Sequence, residues 1–216
     1  FKRPFRAPPL IHDNRIYALT GDDIALSLSL NGKLRWTKKG AQKGTKLMNA
    51  ATPTASGNRV LFPFSGGSLM ALNASNGLEL WNNNFEKSSL GSALATIGDF
   101  GGDPVIVGSR VYAVSAFGEI FAASLSGNVI WRNNISGKSR LIVSGNSIFF
   151  ISGDNSLVRI DRDTGKLVFK TQKLITKKKI RFIGPLLVES KLLVYSSNGY
   201  MMWFDAKSGS LLRESK

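Results

Sequence analysis

His12 is the one side chain among the 216 residues whose ordinary pKa lies near neutrality, and so the only ready-made proton shuttle in the sequence. A general base also needs a neighbour that orients its ring. His12 falls in the turn between two short apolar runs, has no sequence-evident partner, and reads as a surface or satisfied loop histidine. Carboxylates are sparse, 14 Asp and Glu against 29 Lys and Arg. Asp161, Asp163 and Asp205 each precede a glycine closely, where an acid stabilises a turn through its own side chain. Met201 and Met202 alternate across one run, so one of them faces packing and no metal role is assigned to either. Cysteine is absent, which excludes disulfides, thiolate metal sites and cysteine nucleophiles and leaves the redox compartment unread. No Gly-x-Ser-x-Gly elbow, phosphate loop or His-Glu-x-x-His occurs. These residue types point to binding, with neither catalytic nor metal-ligating residues.

The elements that would carry a binding surface show themselves as repeats. Gly-x-x-x-Trp occurs at Gly32 to Trp36, Gly77 to Trp81 and Gly127 to Trp131, then degenerates to Gly165 to Phe169 and Gly209 to Arg213. The five glycines are 45, 50, 38 and 44 residues apart, near the period of a propeller blade. Ahead of each glycine lies an alternating run, 24–29, 68–74, 119–125, 156–161 and 200–206. A Gly, Asp or Asn turn precedes it, and before that another strand, 15–19, 59–64, 110–115, 147–152 and 191–197. A further strand opens each unit, led by Pro8 and Pro9, Pro53, Pro104 or Pro185, with 140–145 lacking the proline. A fourth follows the repeat glycine.

The expectation is therefore an all-β chain, residues 1–216 as a single domain, made of about five four-stranded antiparallel β-propeller blades. The repeat glycines Gly32, Gly77, Gly127, Gly165 and Gly209 are assigned left-handed turn positions, and the rings of Trp36, Trp81, Trp131 and Phe169 the gaps between blades.

Two short units, 71–81 and 159–170, resemble the tryptophan-docking repeats of the quinoprotein, or PQQ-like, propellers, a superfamily of unlike functions. The longer stretches 92–131 and 180–212 resemble the later blades of the BamB family, lipoprotein subunits of the bacterial outer-membrane β-barrel assembly machine, and the resemblance covers residues 5–213. It implies a non-catalytic scaffold with no bound cofactor, part of an eight-bladed ring, lipid-anchored to the periplasmic face of the outer membrane in the full-length protein. It also implies binding to the POTRA region of BamA, the barrel subunit of that machine, and contact with nascent outer-membrane proteins. The chain starts without Met and without a signal-like apolar core, so the expectation is a mature product or a fragment whose N-terminal blades lie elsewhere.

Carried over by position, the family's BamA contacts fall on two loops: Leu47 and Met48 in the first, Asp99, Phe100 and Gly101 in the second. Met48 stands where the family has arginine, and Gly101 replaces the second of two acids. A fragment of a PQQ-dependent dehydrogenase or a propeller-type sensor is the alternative reading. The formal charge of +15 favours an anionic contact such as a membrane surface, reached through Lys173, Lys177, Lys178, Lys179 and Arg181 and through ten basic residues before position 47. Aromatic residues are not interleaved with these clusters, so no nucleic acid is expected.

Overall fold

A computed structural model describes residues 4–40, 51–85, 99–116, 118–172, 174 and 180–216. Blade 1 comprises β1 (Leu10–His12), β2 (Arg15–Leu19), β3 (Ile24–Ser29) and β4 (Leu34–Lys39). Blade 2 follows with β5 (Thr54–Ser56), β6 (Arg59–Pro63), β7 (Ser68–Asn73) and β8 (Glu79–Asn84), and blade 3 with β9 (Val105–Val107), β10 (Arg110–Val114), β11 (Ile120–Ser124) and β12 (Val129–Asn133). Blade 4 is β13 (Ile142–Ser144), β14 (Ser147–Ile151), β15 (Leu157–Asp161) and β16 (Leu167–Lys170). Blade 5 is β17 (Phe182–Val188), β18 (Lys191–Ser196), β19 (Met201–Asp205) and β20 (Leu211–Ser215). Each blade is a four-stranded sheet with strands in chain order, and every pairing is antiparallel. Helix is confined, among the described residues, to one short turn at Ser65–Gly67.

The apolar side chains sit between blades. Alternation along β6 sends Val60 and Phe62 into a cluster with Tyr17, Leu19 and Trp36 of blade 1, and Leu61 into a cluster with Val111 and Phe121 of blade 3. The middle strands are covered on both faces and so read as nearly continuous apolar runs. Burying one Leu or Phe side chain in this way stabilises by about 1.5–3 kcal/mol. The first strands of neighbouring blades meet, β5 with β9 and β13 with β17, which sets the first strand at the narrow inner edge of each sheet. The fourth strand, mostly exposed, forms the wide outer edge.

The repeat glycine and the aromatic four residues later do not meet each other. Each aromatic docks on the glycine of the following blade. A Cβ on Gly77 would lie 2.7 Å from the Trp36 ring, one on Gly127 2.7 Å from Trp81, one on Gly165 2.5 Å from Trp131 and one on Gly209 2.7 Å from Phe169. All five repeat glycines also have positive φ, from 70° to 91°. The indole N–H groups of Trp36, Trp81 and Trp131 donate to the carbonyls of Ala74, Leu125 and Arg162, at 3.0, 2.8 and 3.0 Å. Asn83 and Asn133, two residues beyond their tryptophans, donate to the carbonyls of Gly127 and Gly165. In two of the hairpin turns between the second and third strands the positive φ falls on Asp23 and Asn155.

Candidate partner-binding rim

Antiparallel order fixes two rims. The turns within β1–β2 and β3–β4 pairs lie on one; the β2–β3 turns and the lead-in loops to each first strand lie on the other. Both loops expected to meet a partner are lead-ins and belong to this second rim. Leu47 and Met48 lie outside the described residues, as do Lys173 and Lys177 to Lys179 of the basic cluster. Arg181 is described and exposed.

Of the three residues expected at the second partner loop, Asp99 and Phe100 are buried and Gly101 is half-buried. Asp99 is only 1% exposed, and its carboxylate pairs with the buried guanidinium of Arg6 at 2.6 Å. Arg6 also donates to Asp23 at 2.9 Å, and Asp23 accepts both the hydroxyl and the N–H of Ser65. One guanidinium thus joins the lead-in and β2–β3 turn of blade 1 to the lead-in of blade 3, with blade 2 tied in through Ser65. Removing one member of a buried pair of this kind costs about 3–5 kcal/mol, because the other charge is left unpaired. Phe100 is buried in the cluster between blades 2 and 3. Gly101 packs so closely that a Cβ would lie 1.7 Å from the Gly137 carbonyl oxygen. The segment turns inward to reach Arg6, a residue so distant in sequence that the loop pattern gave no sign of it.

A second node lies at the end of the same segment. Asp103 accepts the Thr52 N–H at 2.6 Å and a guanidinium N–H of Arg140 at 2.8 Å. Thr52 lies just before β5, so Asp103 joins the lead-ins of blades 2, 3 and 4. Gly102 presses on the same strap: its Cβ would lie 2.3 Å from the Ser139 carbonyl oxygen.

Farther along the rim a polar cleft of about 200 Å³ is lined by Asn134, Ser136, Ser152, Asp154 and Lys170. Partial burial raises the Asp154 pKa, but bonds from Lys170 and Ser152 outweigh it and hold the carboxyl at about 2. Asp161 and Asp205 do what their spacing implied: each accepts the N–H groups two and three residues on, together with a hydroxyl. Those bonds lower both carboxyl pKa values. Asp163 pairs with Arg110 of blade 3. His12 ends β1 and is not in the turn; its Nε2 bonds the Gly57 carbonyl of blade 2 at 3.0 Å. Among the described residues no three His, Asp or Glu side chains gather as a metal-binding cluster.

A family profile described as "Outer membrane protein assembly factor BamB" matches residues 1–171. Curated relatives of that description include one from Moranella endobia (strain PCIT), 23% identical over 212 residues, covering 97% of this chain and 54% of the relative. Another, from Legionella pneumophila (strain Paris), is 28% identical over 171 residues, covering 79% of this chain and 44% of its own length. The chain thus spans about half the length of these relatives. Among solved structures, BamB from Moraxella catarrhalis superposes with a TM-score of 0.90 at 20% identity, over 100% of this chain and 65% of that one. Quinohemoprotein alcohol dehydrogenase from Comamonas testosteroni shares the fold at a TM-score of 0.76 and 16% identity, over 99% of this chain and 43% of that one. Five four-stranded blades with aromatic-on-glycine docking are thus a propeller of the PQQ-like kind, and the profile match over most of the sequence places the chain in the family of the outer membrane protein assembly factor BamB.

Proposed function

We propose that this chain is a non-catalytic scaffold of the outer-membrane β-barrel assembly machine, acting at the periplasmic face of the outer membrane. Its work is to hold the POTRA region of BamA on the lead-in rim and to assist the folding of outer-membrane proteins there. The lipid anchor of the family, the larger ring and contact with nascent barrel proteins belong to the same reading. The observations that support it are the family match and a rim on which Asp103 joins the lead-ins of blades 2, 3 and 4. Asp99 serves in this reading as a positioning residue: its buried bond to Arg6 fixes where the loop before it emerges. Leu47 supplies the apolar anchor. Truncating a buried interface anchor costs about 2 kcal/mol or more, roughly thirtyfold in affinity.

The test is a calorimetric titration of the purified POTRA region of the cognate BamA against wild type, Leu47→Ala and Lys178→Ala. Leu47→Ala should weaken binding by about thirtyfold and Lys178→Ala by less than threefold. Binding that is lost only in Lys178→Ala would move the interface to the basic loop. A wild type that does not bind, yet oxidises an alcohol once supplied with PQQ and a divalent cation, would replace this reading with the dehydrogenase one.

A further inference from the structure

The strap that Asp103 holds carries a cation that the spacing of motifs did not single out. Arg140 stands between Ser139 and Leu141, both buried, yet its own side chain is 71% exposed. The backbone just before it is fixed by three hydrogen bonds. The Gly137 N–H donates to the Ser115 carbonyl at 3.0 Å, the Lys138 N–H to the Ile151 carbonyl at 3.0 Å, and the Ile151 N–H to the Ser139 hydroxyl at 2.8 Å. The side chain is aimed by Asp103, whose other oxygen is occupied by Thr52. A guanidinium offers five N–H donors in a planar fork, and one bond to Asp103 leaves an outer edge directed to solvent. Lys138, also exposed, stands two residues earlier and spends one bond on the Gly153 carbonyl at 3.2 Å.

We propose that Arg140 is a partner-facing cation of this rim that takes a carboxylate from an acidic segment of the partner, with Asp103 as its positioning residue and Lys138 as a second positive charge. This rests on the reading of the lead-in rim as the partner-binding face. Three observations favour it. The fork matches a carboxylate in two bonds at once, which an ammonium cannot do. The backbone held just before it lowers the ordering cost of using the side chain. The charge balance of +15 draws an acidic partner toward the surface. Exposed pairs such as Asp103 with Arg140 contribute little to stability, so replacing Arg140 separates binding from folding.

The experiment has two arms, with thermal melting of every variant as the folding control. In the first, the cognate POTRA region is titrated against wild type, Arg140→Ala, Arg140→Lys, Asp103→Asn and the double variant Asp103→Asn with Arg140→Ala. The expected result is about a tenfold loss for Arg140→Ala with a shallower dependence on salt, and a partial loss for Arg140→Lys with the salt dependence kept, since the charge remains. Asp103→Asn should add little once Arg140 is gone. In the second arm, a hexaglutamate peptide labelled with a fluorophore is titrated at low salt, and its binding should fall severalfold in Arg140→Ala. If the POTRA region binds wild type and Arg140→Ala alike, the proposal is overturned while the scaffold reading stands. If the POTRA region does not bind at all, that reading fails, and the peptide alone decides the acidic site. A peptide indifferent to Arg140, with anionic vesicles that sediment wild type but not Arg140→Ala, would reassign the cation to a lipid surface.

Discussion

Gly77 and Gly32 hold equivalent places in the repeat but have unequal surroundings. Both have positive φ, 74° and 81°, and a Cβ in that conformation costs about 1–2 kcal/mol. Gly77 also lies under the Trp36 ring, whereas a Cβ on Gly32 would meet nothing within 4 Å. Gly32→Ala should therefore cost about 1 kcal/mol, and Gly77→Ala about 3 kcal/mol, since overpacking of the indole adds to the backbone strain. Urea unfolding of the two variants checks the difference; equal losses would mean that the ring contact contributes nothing. The glycine conformation was legible in the sequence because the turn demands it locally. The docking partner was not, since the ring that covers Gly77 belongs to the previous repeat. Asp99 shows the same limit more sharply. Its place in the family pattern implied a partner contact, and only the fold brings Arg6 to it.

At the scale of the element, each outer strand carries one irregularity at the same point, immediately before its aromatic position. Pairing passes from Trp36 to Leu34, from Trp81 to Glu79, from Trp131 to Val129, from Phe169 to Leu167 and from Arg213 to Leu211. The skipped residues are Arg35, Leu80, Ile130, Val168 and Leu212, all turned to solvent. A bulge bends and twists an edge away from flat pairing, which is how exposed edges avoid joining the strands of other molecules. The apolar side chains at these positions therefore contribute little to stability, and Ile130→Thr should leave the unfolding midpoint within about 0.5 kcal/mol of wild type. A loss above 2 kcal/mol in the same urea experiment would show that Ile130 is packed. Strand positions were readable from alternation of apolar residues, and the observed bounds fall within a residue or two of those runs. The bulges were not, because a skipped residue leaves the same apolar letters in the sequence.

Across the five blades the docking runs one way, the ring of each blade resting on the glycine of the next, and within these residues the sheet of blade 5 is packed from one side, by blade 4. Arg213 holds its aromatic position, β20 is exposed along most of its length, and Trp203 and Met201 border an open cleft of about 400 Å³ with Lys191 and Leu212. Phe204, next along the strand, is buried against blade 4. Blades 2, 3 and 4 are each held from both sides, and the Arg6–Asp99 pair reaches past blade 2 on the lead-in rim. An array coupled in this way loses structure from its least-supported unit inward, as a zipper opens from an end. Amide hydrogen exchange should accordingly be fastest in β19 and β20, slower in β14 and β15, and slowest in β6, β7, β10 and β11. Uniform exchange across all five blades would mean that the array melts as one cooperative body. The graded pattern would make blade 5 the first of these five blades to open, ready to take a new neighbour while the rim at blades 1 to 4 keeps its shape.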